Sequence, residues 1–156
     1  MVIHELTDDQ CRDVLARTNL GRLGCARAEQ PYIVPVFFYF DPEERSIYGF
    51  STFGQKIDWM RSNPKVCLEV DEIINQFNWI TVVVLGEYEE IGQSVGERDA
   101  RRRIAELLRH RPDWWLPATG KLTAGAEHHV PIVYRIRIER MSGRQASEPI
   151  GHSSPD

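Results

Sequence analysis

The 156-residue sequence has few cysteines, no long hydrophobic run and no strong net charge. Its three cysteines stand far apart without a CxxC motif, which excludes a disulfide framework and predicts reduced thiols of a cytoplasmic protein. No apolar stretch approaches the ~20 residues of a membrane helix, and the first residues lack the segments of a signal peptide. A net charge of −4 argues against a surface for nucleic acid. We therefore expect a cytoplasmic protein without membrane or nucleic-acid partners.

A chain of this length is typical of one compact domain. We assign residues 1–146 to that domain and residues 147–156 to a polar C-terminal tail, because the last ten residues lack any apolar periodicity.

Hydrophobic periodicity predicts six strands and three helical segments. Six strands joined by short turns do not fit an alternating βαβ architecture, whereas a small, mostly antiparallel barrel accommodates them. The predicted strands cover Gly21–Ala28, Tyr32–Phe40, Arg45–Thr52, Val66–Val70, Trp79–Ile91 and Pro131–Met141. The first helix begins after Thr7, the second covers Gln55–Ser62 and ends before Asn63-Pro64, and the third covers Gly96–His110.

Four residues give local signals within these elements. Thr7 and Gln10 have the spacing of a capping box at the start of the first helix. Pro35 cannot donate a hydrogen bond to a neighbouring strand, so its strand should lie at an edge or carry a bulge. Gly86 within the longest strand predicts a bulge or a sharp bend.

The segment from Tyr48 to Asp58 carries the clearest chemical signal. A strand ends in the hydroxyls of Ser51 and Thr52, and a helix with Lys56 begins after a glycine. Hydroxyls, free amides at a helix start and an ammonium group together can bind a phosphate. The alternative interpretation is that the hydroxyls only cap the helix and that the lysine is solvated.

The sequence contains, in this order, the segments Leu20–Gly24, Pro31–Val36, Ser51–Asp58, Asn63–Cys67 and Trp79–Gly86. These five segments together resemble the pyridoxamine 5′-phosphate oxidase-related flavoproteins, and among them the branch with the 5-nitroimidazole-resistance proteins. The resemblance implies a mainly β protein, a six-stranded antiparallel Greek-key split β-barrel. It further implies a homodimer with FMN in two clefts at the subunit interface.

The resemblance also implies which residues contact the flavin. A strand with a proline is expected to have broken ladder pairing and so to leave neighbouring backbone groups free for a ligand, which agrees with a flavin ring along that strand. The implied cofactor-binding residues are Ile33, Val34, Pro35, Val36 and Phe37 for the ring, Phe50, Ser51 and Thr52 for the ribityl chain and phosphate, Gln55 and Lys56 for the phosphate, and Trp79 and Thr81 on the fifth strand.

Three departures from the family pattern limit the activity that can be transferred. Phe50 stands where the nitroimidazole-resistance branch usually has a histidine, and Gln55 replaces an arginine of the phosphate site. The substrate-binding C-terminal pattern of the true oxidases is not evident. We therefore expect an FMN-dependent oxidoreductase with a small-molecule substrate that the sequence does not identify. No catalytic residue is assigned.

Two other functions stay open. The same cleft could hold flavin for electron transfer or sensing without turnover. Alternatively, the barrel could bind another planar cofactor, haem or a deazaflavin, with Phe37 and Phe50 lining an apolar slot.

Further residues have secondary interpretations. Trp114 and Trp115 are candidates for a hydrophobic lid or a dimer contact. Adjacent residues of an extended chain point to opposite sides, so His128 and His129 are not expected to share a metal ion. Arg144 is either a second cation for the phosphate or a solvated arginine.

Overall fold

The computed structural model describes residues 1–92, 94–109 and 132–148, except for the side chains at 103 and 105–109. These residues form eight strands and three helices. The eight strands belong to one sheet, in which all neighbouring strands pair antiparallel. The elements are β1 (Val2–Glu5), α1 (Asp8–Arg17), β2 (Leu20–Arg27), β3 (Gln30–Phe37), β4 (Tyr39–Asp41), β5 (Ser46–Ser51), α2 (Gln55–Ser62), β6 (Lys65–Asn75), β7 (Asn78–Glu90), α3 (Val95–Arg109) and β8 (Ile132–Ser147).

The strand order is β3-β2-β6-β7-β8-β5-β4, and β1 also pairs with β8. Strand β3 contacts β5, so the two ends of the sheet approach each other. The sheet therefore curves into a barrel, but β3 and β5 are not paired as strands. The mainly β, antiparallel split-barrel fold predicted from the sequence is therefore confirmed.

The prediction of six strands is wrong in two places. Strand β1 was not predicted, because its four residues are exposed and its stability comes from pairing with the end of β8. The run from Tyr32 to Phe40 divides into β3 and β4 at Phe38, whose amide donates to the Asn19 carbonyl at 3.0 Å. The Phe38 side chain is fully buried, so the division places a large aromatic ring in the core.

The core fills the inside of the barrel, and α1 and α2 contribute to it. Leu23, Leu68 and Val82 from three neighbouring strands are fully buried there, together with Leu15 of α1 and Ile57 of α2. A second, smaller cluster packs between the sheet and α3, and consists of Tyr48, Ile91, Ile104 and Val133.

Two local predictions are confirmed. Thr7 and Gln10 form a complete capping box, in which each side chain accepts a hydrogen bond from the other residue's amide. The pairing of β7 with β8 shifts at Gly86, as expected for a bulge. A Cβ atom at this position would lie 2.4 Å from the Arg137 carbonyl oxygen, so the close approach of the two strands requires glycine.

None of the helices in the described ranges combines the length and the apolar character that crossing a membrane would require.

Candidate functional site

The first turn of α2 has backbone amides without a side-chain cap. Its N-cap residue is Gly54, in an extended conformation, and no side chain caps the helix. The Ser51 hydroxyl instead donates to the Thr52 carbonyl at 2.8 Å. The alternative interpretation, that Ser51 and Thr52 cap the helix, is therefore wrong. The amides of the first three helical residues lack intrahelical partners and are suited to bind an anion.

Lys56 is half-buried in this first turn. Burial lowers the pKa of its ammonium group, and the neighbouring Cys25 acts in the opposite direction. Within the described part of the chain Lys56 forms no ion pair, whereas Lys65 lies 2.7 Å from a Glu139 oxygen. The partial positive charge of a helix start also disfavours a lysine. A bound anion would relieve both costs.

Strand β3 is an edge strand, as predicted from Pro35, and pairs with β2 alone among the described strands. The expected break in the ladder is absent, because the register continues through the pair of Pro35 with Arg22. The prediction that this proline disrupts pairing is therefore wrong. The backbone groups of β3 are available because the strand lies at the edge.

The turn before β3 determines which backbone groups face outward. Ala28 and Glu29 have φ values of 48° and 64°, as a two-residue type I′ turn requires. In such a hairpin the flanking pair is hydrogen-bonded, so even-numbered residues of β3 bond to β2 and odd-numbered ones face the open edge. The prolines at 31 and 35 lack an amide hydrogen, so the amide of Ile33, which lies between them, is an outward donor.

The side chains predicted to contact the ring differ in exposure. Val36 is buried in the core, and the partly buried Val34 packs against the core. Ile33 is 65% exposed, Pro35 is exposed and Phe37 is half-buried. The side chains of Val34 and Val36 therefore anchor β3 to the core, and those of Ile33, Pro35 and Phe37 line the outer face of the sheet.

Strand β3 and helix α2 lie beside each other on β2. The rings of Tyr32 in β3 and Trp59 in α2 have their centroids 5.5 Å apart. The guanidinium of Arg27 at the end of β2 lies 5.3 Å from the Trp59 ring centroid and 2.5 Å from an Asp58 carboxylate oxygen. The structure therefore brings the predicted ring-binding strand next to the predicted phosphate-binding helix.

The remaining predicted contacts lie elsewhere in the single chain. Phe50 packs against the cluster beneath α3. Trp79 and Thr81 lie on β7, three strands from β3, which corresponds to about 14 Å along the sheet. The Thr81 hydroxyl donates to Glu69 at 2.9 Å. Gln55 is exposed beside Lys56.

The outer face of the sheet carries an apolar groove of about 730 Å³. Ile33, Gly24, Cys67 and Leu85 follow one another across four strands of this face. Ile33 and Leu85 are 65% and 45% exposed. The pairing of Trp79 and Thr81 with β6 and β8 places them on the same face.

Phe53 was not identified from the sequence. Its side chain is 57% exposed directly before the α2 N-cap, and the Arg61 guanidinium carbon lies 5.4 Å from its ring centroid. The sequence offered one signal for it, since a large aromatic residue stands between the hydroxyl residues Ser51 and Thr52 and the glycine that precedes the helix.

Arg144 does not lie at α2. It is paired with Thr81 in the sheet, and its side chain is 64% exposed and 3.6 Å from Glu5. Trp114, Trp115, His128 and His129 lie outside the described residues.

The sequence was compared with those of known protein families. Residues 7–145 match the family described as pyridoxamine 5′-phosphate oxidase. An uncharacterized protein of Rhizobium meliloti is 38% identical over 150 residues, which cover 94% of this chain and 97% of that protein.

Two solved structures have the same fold. An FAD-binding protein from Mesorhizobium loti is 37% identical, with a TM-score of 0.80 over 94% of this chain and 100% of that chain. A candidate 5-nitroimidazole antibiotic resistance protein from Bacteroides thetaiotaomicron is 17% identical, with a TM-score of 0.64 over 95% of this chain and 93% of that chain. The second likeness concerns the fold alone.

Proposed function

Because the chain belongs to the pyridoxamine 5′-phosphate oxidase family, we propose that it is a flavin-dependent oxidoreductase acting on a small-molecule substrate. The observation that carries the proposal is the uncapped start of α2, where the half-buried Lys56 lacks a carboxylate partner among the described residues. A flavin phosphate bound there would accept hydrogen bonds from the amides of residues 55–57 and neutralise the ammonium group.

The open edge of β3 supports a position for the flavin ring beside that phosphate. Its outward groups include the amide of Ile33 and the carbonyls of Ile33 and Pro35. The pyrimidine edge of a flavin has both donors and acceptors, so it can pair with both kinds of group. When bound, the flavin supplies hydride or electron transfer, and the protein supplies position and polarity.

The FMN moiety is the part of the cofactor that these residues recognise. FMN and FAD share the ring, the ribityl chain and the first phosphate. The FAD-binding name of the Mesorhizobium loti relative supports a flavin nucleotide as the ligand.

The expected proximity to the nitroimidazole-resistance branch gains no specific support. The Bacteroides protein is only 17% identical to this chain. In addition, Phe50 packs in an apolar cluster and has no titratable group. We therefore do not propose nitro-group reduction.

We propose a homodimer formed through the outer face of the sheet. The exposed Ile33 and Leu85 and the groove between them form an apolar surface that a second copy would cover. Thr81 and Trp79 lie on this face but far from β3 of their own chain. In a dimer they could contact the flavin held by the partner subunit. The free thiols of Cys11, Cys25 and Cys67 support a cytoplasmic location.

The test is an absorption spectrum of the purified protein, with the released cofactor identified by mass. Flavin bands near those of FMN or FAD are expected. Reduction by NADH or NADPH, followed by substrate-dependent reoxidation, would distinguish an oxidoreductase from a flavin-storing protein. A haem spectrum, or a colourless protein that takes up neither FMN nor FAD, would contradict the proposal.

A further inference from the structure

Phe53 presents an aromatic ring to solvent beside the proposed phosphate site. Its side chain is 57% exposed, and its neighbour Gly54 is the N-cap of α2. One face of the ring is covered by the guanidinium of Arg61, whose Cζ atom lies 5.4 Å from the ring centroid.

The guanidinium beneath Phe53 is itself held in place. Arg61 donates from Nε and from a terminal nitrogen to the two oxygens of Glu90, at 2.6 and 3.2 Å. Glu90 also accepts a hydrogen bond from the Tyr88 hydroxyl at 2.8 Å. This bidentate pair fixes the orientation of the guanidinium against the ring. Phe53 is thereby supported from one side and open on the other.

The position of Phe53 limits what its open face can contact. Only Gly54 separates it from Gln55, so its Cα atom lies within about 7 Å of that of the first helical residue. A phosphate on the amides of residues 55–57 would therefore lie within one nucleoside length of the ring. Aromatic side chains stack on nucleobases, and a cation on the opposite ring face adds to the attraction.

We propose that Phe53 stacks on the adenine of FAD and makes the site selective for FAD over FMN. This inference rests on the proposed function, because it takes the flavin phosphate to lie at the start of α2. FMN ends at that phosphate and does not reach Phe53. FAD continues through a second phosphate and a ribose to an adenine, a planar base of the kind that an exposed phenylalanine binds. Phe53 is then a specificity-determining residue for the cofactor.

The test compares FMN and FAD titrations of the flavin-free protein, followed by flavin fluorescence. In wild-type protein, FAD should bind more tightly than FMN. The variant Phe53→Ala should lose about tenfold in FAD affinity, the scale of one base–aromatic stack, and change FMN affinity less than twofold. Phe53→Trp should retain the FAD preference, and Phe53→Leu should lose it although the side chain stays apolar.

Phe77→Ala is the matched control, since Phe77 is 42% exposed on the turn between β6 and β7 and should leave both affinities unchanged. Equal affinities in wild-type protein, an unchanged FAD affinity in Phe53→Ala, or an equal loss for both flavins would overturn the inference while the flavin site stands. Failure of wild-type protein to bind either flavin would instead contradict the proposed function, and the inference with it.

Discussion

Gly24 in β2 faces Cys67 in β6 so closely that a Cβ atom at position 24 would lie 2.7 Å from the Cys67 sulfur. We predict that Gly24→Ala lowers the free energy of unfolding by about 1 kcal/mol through overpacking. In the double variant Gly24→Ala with Cys67→Ala, the sulfur is absent and the loss should largely disappear. Urea unfolding of wild-type protein, Gly24→Ala, Cys67→Ala and the double variant gives the coupling energy between the two positions. Additive effects would show that the cost at position 24 comes from another source.

The phosphate site depends on the charge of Lys56. We predict that Lys56→Ala weakens flavin binding by about 1.5–3 kcal/mol, the value of a hydrogen bond to a charged group. Lys65→Ala removes the same charge from an exposed lysine that is paired with Glu139, and it should change the dissociation constant less than twofold. Titration calorimetry with FMN compares the two variants. Equal effects would mean that only the overall charge matters, and full retention in Lys56→Ala would place the phosphate elsewhere.

Substitution of Gly54 gives a second test of the same site, in which stability and flavin affinity should change in opposite directions. Gly54 is extended, and a Cβ atom there would meet nothing within 4 Å, so other residues fit. We predict that Gly54→Asp stabilises the flavin-free protein by a few tenths of a kcal/mol, because the carboxylate caps α2. The same carboxylate occupies the amides and repels a phosphate, so flavin affinity should fall by about tenfold or more.

Two further variants at this position separate the causes. Gly54→Ser adds a neutral cap and should weaken binding less than Gly54→Asp. Gly54→Ala adds neither cap nor charge and should bind flavin as wild-type protein does. If the alanine and aspartate variants bind equally well, the helix start does not hold the phosphate.

The stability of the flavin-free protein should rise with pH because of Lys56. Burial lowers the pKa of this lysine in the folded state, so between that pKa and the ordinary value of about 10.4 the unfolded chain binds more protons. The free energy of unfolding of wild-type protein should therefore increase relative to Lys56→Met over this range. The pKa of Lys65 is raised by its hydrogen bond to Glu139, so the corresponding difference for Lys65→Met should stay flat from pH 7 to 10.

Much of the fold follows from local patterns in the sequence. Helix α2 was predicted with its observed bounds, Gln55–Ser62, because a glycine precedes it and Asn63-Pro64 ends it. The capping box of Thr7 and the bulge at Gly86 likewise depend on neighbouring residues. Strand β1 and the far end of β8 could not be predicted, because they are stabilised by pairing between distant parts of the chain.

The candidate site was only partly predictable for the same reason. The uncapped amides and Lys56 belong to one continuous segment, and the sequence identified them. Whether Thr81 reaches the flavin depends on how strands are arranged across the sheet, and in one chain it lies three strands from β3. The direction of Phe50 depends on α3, which covers its side of β5. Phe53 was missed because exposure of an aromatic ring is a property of the folded chain.

The prolines of β3 have a consequence beyond ligand binding. An open edge strand with regularly spaced donors can recruit a strand from another molecule and so begin aggregation. At positions 31 and 35 the outward donors are missing, so an incoming strand would find every second partner absent on this edge. This edge of the sheet can thus accept a small ligand while strand pairing with another polypeptide chain is disfavoured there.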